Sequence, residues 1–390
     1  MLGPAGSGGA GENQDDEEKK ESADFVKVAG YVQLDGRFYL ADDAHAFAAA
    51  DTFVVRRARV TAQGTVARYF DFCLMPDFAG STLTLYDAYL DAHYVPWLRV
   101  RAGKFKPPVD LERLQSAQVI TFVERGYPSN VAPNRDVGVE LHGEVAQGVV
   151  DWAAGVFNGA VDGSLGDSDA SDGKDVAARL FVQPFARGRL SGLKGIGIGL
   201  AGTSGQEAGA VPSFKTSGQE TFFTYLAGVT AAGSRTRLEP QASYQRGPFR
   251  LIGEYIRSRQ HLAKGSGAAV EVTHSAWLAS ASVVLTGEAP ASGAVTPGHP
   301  FAPATHGGGA LELAARVTSL EVGLDAFRAG LADPTRAARR ARAWAVGLTW
   351  YLNRNVKQVV DFERTTFTGG AAGGDRAPEN AVLIRSQISF

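Results

Sequence analysis

Hydrophobic and polar residues alternate with a period of two along most of the chain. In residues 26–40, Val28 and Val32 fall on one face, while Gln33 and Asp35 fall on the other. Alternation of this kind is typical of a β-strand with one apolar and one polar side. A β-sandwich strand alternates in the same way, so the argument for a barrel rests on repetition of the pattern over the whole chain.

The alternation predicts an all-β fold, a transmembrane antiparallel β-barrel of about 16 strands. The predicted strands are residues 26–40, 53–66, 68–76, 84–94, 98–105, 136–144, 150–158, 176–185, 196–202, 235–245, 249–259, 270–286, 310–324, 344–353, 356–366 and 381–390. Another candidate, residues 221–230, is assigned to a long outer loop from 203 to about 234, because bacterial barrels have an even strand count with both chain ends on the periplasmic side. The Gly- and Pro-rich segment after Leu285 then falls, unusually, on the side of the short turns.

The longest interruption of the pattern is residues 106–135, which contains four prolines and lies between two predicted strands. It is too long for a hairpin turn, and loops of this length in compact domains are usually functional or disordered. Its composition is not that of a disordered segment, because apolar residues such as Leu111, Phe122 and Tyr127 need a surface to pack on. We therefore predict a constriction loop folded into the barrel lumen.

Composition supports a barrel and excludes other classes. Hydrophobic residues make up 44% of the chain, but no apolar run reaches the roughly 18 residues of a transmembrane helix. The single cysteine, Cys73, excludes an internal disulfide framework and a cysteine metal cluster. Residues 1–24 are predicted to be a flexible acidic segment, followed by an outer-membrane barrel over residues 25–390.

Catalytic and metal sites find little support in the sequence. The Gly197–Gly202 stretch fits G-x-G-x-x-G by letter, but it lies inside a strand pattern instead of a strand-to-helix turn. The seven histidines lack metal-ligand spacing, and the Asp-rich residues 162–175 lack the calcium-loop pattern. We predict no enzyme activity, no catalytic residues, no metal site, no cofactor and no nucleic-acid partner.

Nine short stretches together resemble, in the same order, the phosphate-selective porin O/P family. They are FVVRRAR (53–59), GKFK (103–106), FVER (122–125), NRDVG (134–138), GVFNG (155–159), GPF with GEY (247–255), LTGE (285–288), GALELAAR (309–316) and WYLN (350–353). The resemblance runs from about residue 31 to 390. The C-terminal strand also ends on Phe390, which resembles the assembly signal of outer-membrane barrels.

The resemblance implies a sixteen-stranded porin of the bacterial outer membrane, usually a homotrimer, surrounded by lipid bilayer and lipopolysaccharide. It also implies selectivity for small anionic solutes, with phosphate or polyphosphate in the best-known members. Arg57 and Arg59 match the family's arginine-rich second strand, and Arg125 and Arg135 match motifs flanking the constriction loop. The lysine ladder of those members has no counterpart that can be placed here.

Arginines on the predicted polar faces are the candidate pore-lining, anion-selecting residues. Guanidinium groups in a pore can replace part of an anion's hydration shell. The alternative is that they pair with Asp and Glu across strands and stiffen the wall. Arg56 falls on the apolar face, so we expect it at the membrane interface. The eight candidates are Arg57, Arg59, Arg99, Arg101, Arg125, Arg135, Arg179 and Arg316.

Three functions remain open from the sequence. The first is a porin with anion preference, which passes small hydrophilic solutes by passive diffusion. The second is a diffusion porin of the same fold without selectivity. The third is a barrel that acts as a scaffold or sheath for partner proteins and transports nothing.

Overall fold

The computed structural model describes residues 24–40, 50–167, 172–291 and 293–390. Apart from Asp24, the predicted acidic segment lies outside these residues. Among the described residues, no helix is both long and apolar enough to cross a membrane. The helices are α1 (Leu111–Leu114) and α2 (Leu324–Arg328), with 3-10 turns at Tyr127–Asn130, Ser191–Leu193 and Pro303–Thr305. The strands are β1 (Phe25–Tyr39), β2 (Thr52–Val66), β3 (Phe70–Asp77), β4 (Thr84–Val95), β5 (Leu98–Phe105), β6 (Asp136–Val145), β7 (Val150–Phe157), β8 (Asp175–Val182), β9 (Ile196–Gly209), β10 (Phe214–Lys215), β11 (Thr221–Phe223), β12 (Val229–Arg246), β13 (Phe249–Lys264), β14 (Val270–Val284), β15 (Ala310–Val322), β16 (Ala338–Tyr351), β17 (Val356–Ala371), β18 (Gly374–Asp375) and β19 (Glu379–Ser389).

Sixteen of these strands form a closed antiparallel barrel, as the alternation predicted. Each strand pairs with the next along the chain, and β1 pairs with β19 to close the ring. The backbones of Gly30 and Phe390 exchange two hydrogen bonds of 2.9 Å at this seam. The short strands β10 and β11 pair with each other, and β18 pairs only with the end of β17.

Residues 221–230 supply no complete barrel strand, which agrees with their assignment to a loop. The connection is nevertheless shorter than the predicted 203–234. Strand β9 continues to Gly209, and β12 begins at Val229, so the connection covers residues 210–228. The two strands pair along this extra length, from Ala231 opposite Gly209 onward.

The two faces of the strands follow the predicted alternation. On β1, Gln33 and Asp35 point inward and are 0% and 2% exposed, whereas Val26 and Leu34 are 65% and 51% exposed on the outside. An apolar exterior with a polar interior is the arrangement that makes a membrane-spanning barrel stable in a lipid bilayer.

Most connections at the chain-terminal end of the barrel are tight turns, such as Gly247-Pro248 between β12 and β13, where Gly247 adopts a φ of 53°. The long connections lie at the opposite end, with two exceptions, residues 183–195 between β8 and β9 and residues 285–309. Residues 285–309 join β14 to β15 on the short-turn side and fold against the barrel mouth, where Val295 packs on Val284 and Tyr351. The predicted position of this segment, on the short-turn side, is therefore correct. Its packing against the barrel accommodates a connection of this length.

Candidate functional site

The segment between β5 and β6, residues 106–135, lies inside the barrel and is called the lumen loop. Its backbone donates hydrogen bonds to side chains of the far wall, from Leu111 N to Glu254 of β13 at 2.6 Å and from Val123 N to Asp361 of β17 at 2.5 Å. Buried wall carboxylates thus satisfy loop N–H groups that would otherwise lack partners. These bonds hold the loop across the lumen.

A second segment, residues 210–228, also packs inside the barrel. Phe214 and Phe222 are buried against Tyr127 of the lumen loop, and they join a cluster that includes inward-facing Ile256 and Leu320 of the wall. Apolar side chains therefore line the inner face of β13 and β15, where the loops cover them. This packing fills one side of the lumen.

Two cavities of similar volume lie on the other side, along β2 to β8. The outer cavity, of about 440 Å³, is bordered by the lumen loop and by residues 211–219 from the long-connection end. The inner cavity, of about 460 Å³, is bordered by β4 to β8. Arg135 lines the outer cavity and Asp87 the inner one, and their ion pair of 3.0 Å lies between the two.

The charges of the two cavities differ. The outer cavity is lined by seven basic residues and two acidic ones, Glu124 and Asp162. The inner cavity is lined by three basic residues and three acidic ones. The basic residues of the outer cavity are Arg56, Arg57, Arg59, Arg113, Arg125, Arg135 and Lys215.

The structure places all eight candidate arginines on the lumen side, but in different surroundings. Arg57, Arg59, Arg125 and Arg135 line the outer cavity, and Arg101 and Arg179 line the inner one. Arg99 lies nearer the short-turn end and borders neither cavity, with Asp71 at 2.7 Å. Arg316 has a side chain only 1% exposed and is covered by the loops, where it contacts Ser217, Glu363 and the backbone of Glu124.

Most of these arginines have carboxylate partners. The sequence offered two interpretations, an anion-selecting lining and cross-strand pairing that stiffens the wall, and each describes part of the site. The ion-pair distances are 2.7 Å for Arg59 and Asp77, 2.6 Å for Arg101 and Asp91, and 2.7 Å for Arg179 and Asp151. In the outer cavity, Glu124 is shared by Arg56 at 2.5 Å and Arg57 at 3.5 Å. One carboxylate cannot neutralise two guanidinium groups, so positive charge is left over here.

Two cations of the lumen loop bind carbonyl oxygens instead of carboxylates. Arg125 donates to the backbone oxygens of Glu112 and Gln115, at 3.2 and 2.9 Å. Lys106 donates to the backbone oxygens of Leu114 and Gln115, at 3.1 and 3.0 Å. Because a carbonyl carries no net charge, these contacts do not cancel the positive charge of either residue.

β-Bulges place two side chains in the lumen that the alternation assigned to the outside. The register between β1 and β2 shifts after Gln33, so Arg56 turns inward beside Arg57, and the prediction of an interfacial Arg56 is wrong. The register between β3 and β4 shifts at Pro76, and Tyr86 turns inward, with the Arg59 guanidinium 3.5 Å from its ring centre. A bulge adds one residue to a strand and redirects its side chain.

Sequence reasoning also missed Lys106, Arg113 and Lys215. All three lie in connections, where no alternation exists from which to read the direction of a side chain. The composition of residues 106–135 offered an indirect indication, because this segment combines apolar residues with several cations. Packing of the apolar residues on the barrel wall would leave the cations beside the remaining open space.

Positive neighbours lower the pKa values of two lumen-loop groups, Glu124 and Lys106, with opposite effects on their charge. Burial raises the pKa of the Glu124 carboxyl, but Arg56, Arg57 and Arg385 outweigh it, and the pKa lies well below its usual value. Burial, together with the positive charges of Arg135 and Arg125, holds the pKa of Lys106 well below that of a free lysine. Glu124 is therefore firmly ionised, whereas the charge of Lys106 depends on pH. Within the described ranges, no group of three or more His, Cys, Asp or Glu side chains is arranged to hold a metal ion.

A closed sixteen-stranded barrel with a loop folded into its lumen is the architecture of an outer-membrane porin. The chain belongs to the phosphate-selective porin O and P family, whose model matches residues 26–390, and this confirms the resemblance found in the sequence. The family and the fold place the protein in the bacterial outer membrane. Comparison with curated protein sequences gave no match.

Solved structures agree on the fold at low sequence identity. The outer membrane channel DcaP of Acinetobacter baumannii superposes with a TM-score of 0.60 at 10% identity, covering 94% of this chain and 97% of that one. Outer-membrane expressed OmpT of Vibrio cholerae gives 0.58 at 12%, covering 95% and 98%. A trimer form of OmpT gives 0.54 at 11%, covering 95% and 100%.

Proposed function

We propose that this porin passes small hydrophilic anions, phosphate among them, by passive diffusion. The observation that carries the proposal is the lining of the outer cavity, where seven basic residues face two acidic ones. Where a path is narrow and walled by protein, positive potential raises the local anion concentration. The family description, phosphate-selective, agrees with this charge.

The proposal assigns the preference to the outer cavity and not to the whole pore. The inner cavity has equal numbers of basic and acidic lining residues, so it adds little net charge. In the outer cavity, the shared Glu124 and the carbonyl-bound Arg125 leave positive charge that no carboxylate cancels. We propose Arg57, Arg59, Arg125 and Arg135 as anion-selecting residues, joined by Arg56.

We also propose that the protein assembles as a homotrimer. The support is the trimer form of the Vibrio cholerae OmpT barrel, which has the same fold. In the outer membrane, lipid and lipopolysaccharide surround the assembly.

Single-channel recording in planar bilayers tests the function. We expect stable channels whose reversal potential in a potassium chloride gradient shows chloride preference, and we expect added phosphate to reduce the chloride current. Channels without ion preference would support a general diffusion pore instead. Absence of channels from a folded barrel would support the scaffold function, in which the lumen transports nothing.

A further inference from the structure

The outer surface of the barrel carries arginines on one part of the wall, just beyond a row of aromatic residues. Tyr255 of β13 pairs directly with Trp277 of β14, and Trp344 of β16 packs against Phe362 of β17 with ring centres 5.4 Å apart. Tyr255 and Trp344 are 41% and 45% exposed, so they face the membrane. Aromatic rows of this kind mark the boundary between the hydrocarbon core and the polar headgroups.

Beyond Tyr255 and Trp344, toward the long-connection end, the next outward-facing residue on the same strand is an arginine. Arg257 and Arg259 follow Tyr255 on β13, and Arg342 comes two residues from Trp344 on β16. All three are exposed. We call Arg257, Arg259 and Arg342 the outer arginine patch.

The patch is not neutralised by the protein. None of its three side chains makes a hydrogen bond or ion pair with any residue that the structure describes. Two acids lie on the outer face near the patch. Glu321 is already bound by Arg340 at 2.6 Å and by Arg339, and Glu271 lies opposite His261 at the strand end.

The patch spans several strands. Arg257 is in register with Ser275, Ser275 with Glu321, and Glu321 with Arg340, two residues from Arg342 on the same face of β16. Three strand spacings at about 4.8 Å separate these backbones by about 14 Å. One phosphate ion does not span that distance, whereas a headgroup with more than one phosphate can contact both sides.

Strands β6 and β8 lack this feature. Their outward-facing side chains remain apolar up to the end that bears the long connections, with Val137 and Val139 on one strand and Val176 on the other. Exposed arginines at headgroup depth therefore distinguish the β13–β16 face from the face formed by β6 and β8.

We propose that the outer arginine patch binds the phosphate groups of lipopolysaccharide in the outer leaflet. Arginine pairs with phosphate through two parallel charge-assisted hydrogen bonds, and its planar group is more easily dehydrated than an ammonium. The aromatic row lies against the upper acyl chains, and the patch holds the headgroup above them. This site is separate from the lumen and does not depend on the ion preference of the pore.

The test is binding of lipid A to the purified, folded barrel in detergent, measured by native mass spectrometry. The probes are lipid A with its phosphates and the same lipid A after enzymatic removal of the phosphates. The variant Arg257→Gln/Arg259→Gln/Arg342→Gln is expected to bind intact lipid A at least about tenfold more weakly, the change given by loss of a charge-assisted hydrogen bond. The wild type is expected to prefer the phosphorylated probe over both the dephosphorylated probe and inorganic phosphate.

The matched control removes three exposed arginines from the short-turn side, as Arg189→Gln/Arg246→Gln/Arg354→Gln, and is expected to bind lipid A as the wild type does. If the triple variant does not fold, Arg342→Gln alone provides the same comparison. Equal affinity of wild type and patch variant overturns the proposal, and so does equal binding of the two lipid A probes. A change of oligomeric state in the patch variant also overturns it, because the face would then be a subunit interface.

Discussion

Arg56 of β2 and Glu124 of the lumen loop form an ion pair, with 2.5 Å between Nε and the nearer carboxylate oxygen. The pair joins the wall to the loop at the edge of the outer cavity. It exists because a bulge turns Arg56 inward beside Arg57, so the same carboxylate also receives the second arginine at 3.5 Å. Glu124 is therefore both an anchor of the loop and the shared counter-charge of Arg56 and Arg57.

Replacing Glu124 with Gln should increase anion preference. The change removes one negative charge between two arginines while keeping a hydrogen-bond acceptor, so the potential of the outer cavity becomes more positive. The measurement is the reversal potential in a salt gradient. Glu144→Gln, an exposed residue at the short-turn end, is the matched control and should leave the potential unchanged. A fall in anion preference would show that the anion path does not pass Glu124.

Replacing both Arg57 and Arg59 with Glu should move the pore toward cation preference. The two changes shift the local charge by about four units where protein walls strengthen electrostatics. The shift in reversal potential should fade as salt approaches 1 M, where the Debye length is only about 3 Å. The same change at Arg336 and Arg339, outside both cavities, should have a much smaller effect. Equal effects of the two pairs would contradict a selective outer cavity.

Deleting residues 111–132 with a short Gly/Ser bridge should increase conductance and lower thermal stability together. The loop covers inward-facing Ile256 and Leu320, and each such side chain contributes about 1.5–3 kcal/mol when it is buried. Single-channel conductance and the melting temperature are the two measurements. Replacing the exposed connection 265–269 in the same way should change neither. Unchanged conductance after the loop deletion would mean that the loop does not limit the path.

Anion preference should decrease as pH rises from neutral to alkaline. A lowered pKa favours the neutral amine, so Lys106 loses its charge at a lower pH than a free lysine does. A guanidinium group at position 106 would stay protonated over this range. Lys106→Arg should therefore abolish the decrease, whereas Lys215→Arg should preserve it. A decrease that persists in Lys106→Arg would assign the titration to another group.

The sequence alone determined the strands and the direction of most side chains. A strand between the lipid bilayer and an aqueous lumen must alternate apolar and polar residues with a period of two. Val32 can therefore be assigned to the outside and Gln33 to the lumen without any tertiary information. The same constraint, with the even strand number, assigned residues 221–230 to a loop. The bounds of the lumen loop followed from the ends of the flanking strands. Its location inside the barrel followed from its apolar residues, which needed a wall to pack on.

The tertiary structure decided which charges border the open path. Bulges at Arg56 and Tyr86 break the alternation. The position of a bulge is set by pairing with a neighbouring strand, so the sequence of the bulged strand alone does not reveal it. Ile256 is apolar yet faces inward, since a segment more than a hundred residues away in sequence covers it. Arg316 and Arg57 look alike in sequence and both are buried, but of the two Arg57 alone borders the outer cavity. The set of charges that borders the cavities depends on such long-range packing, which the period of a single strand cannot encode.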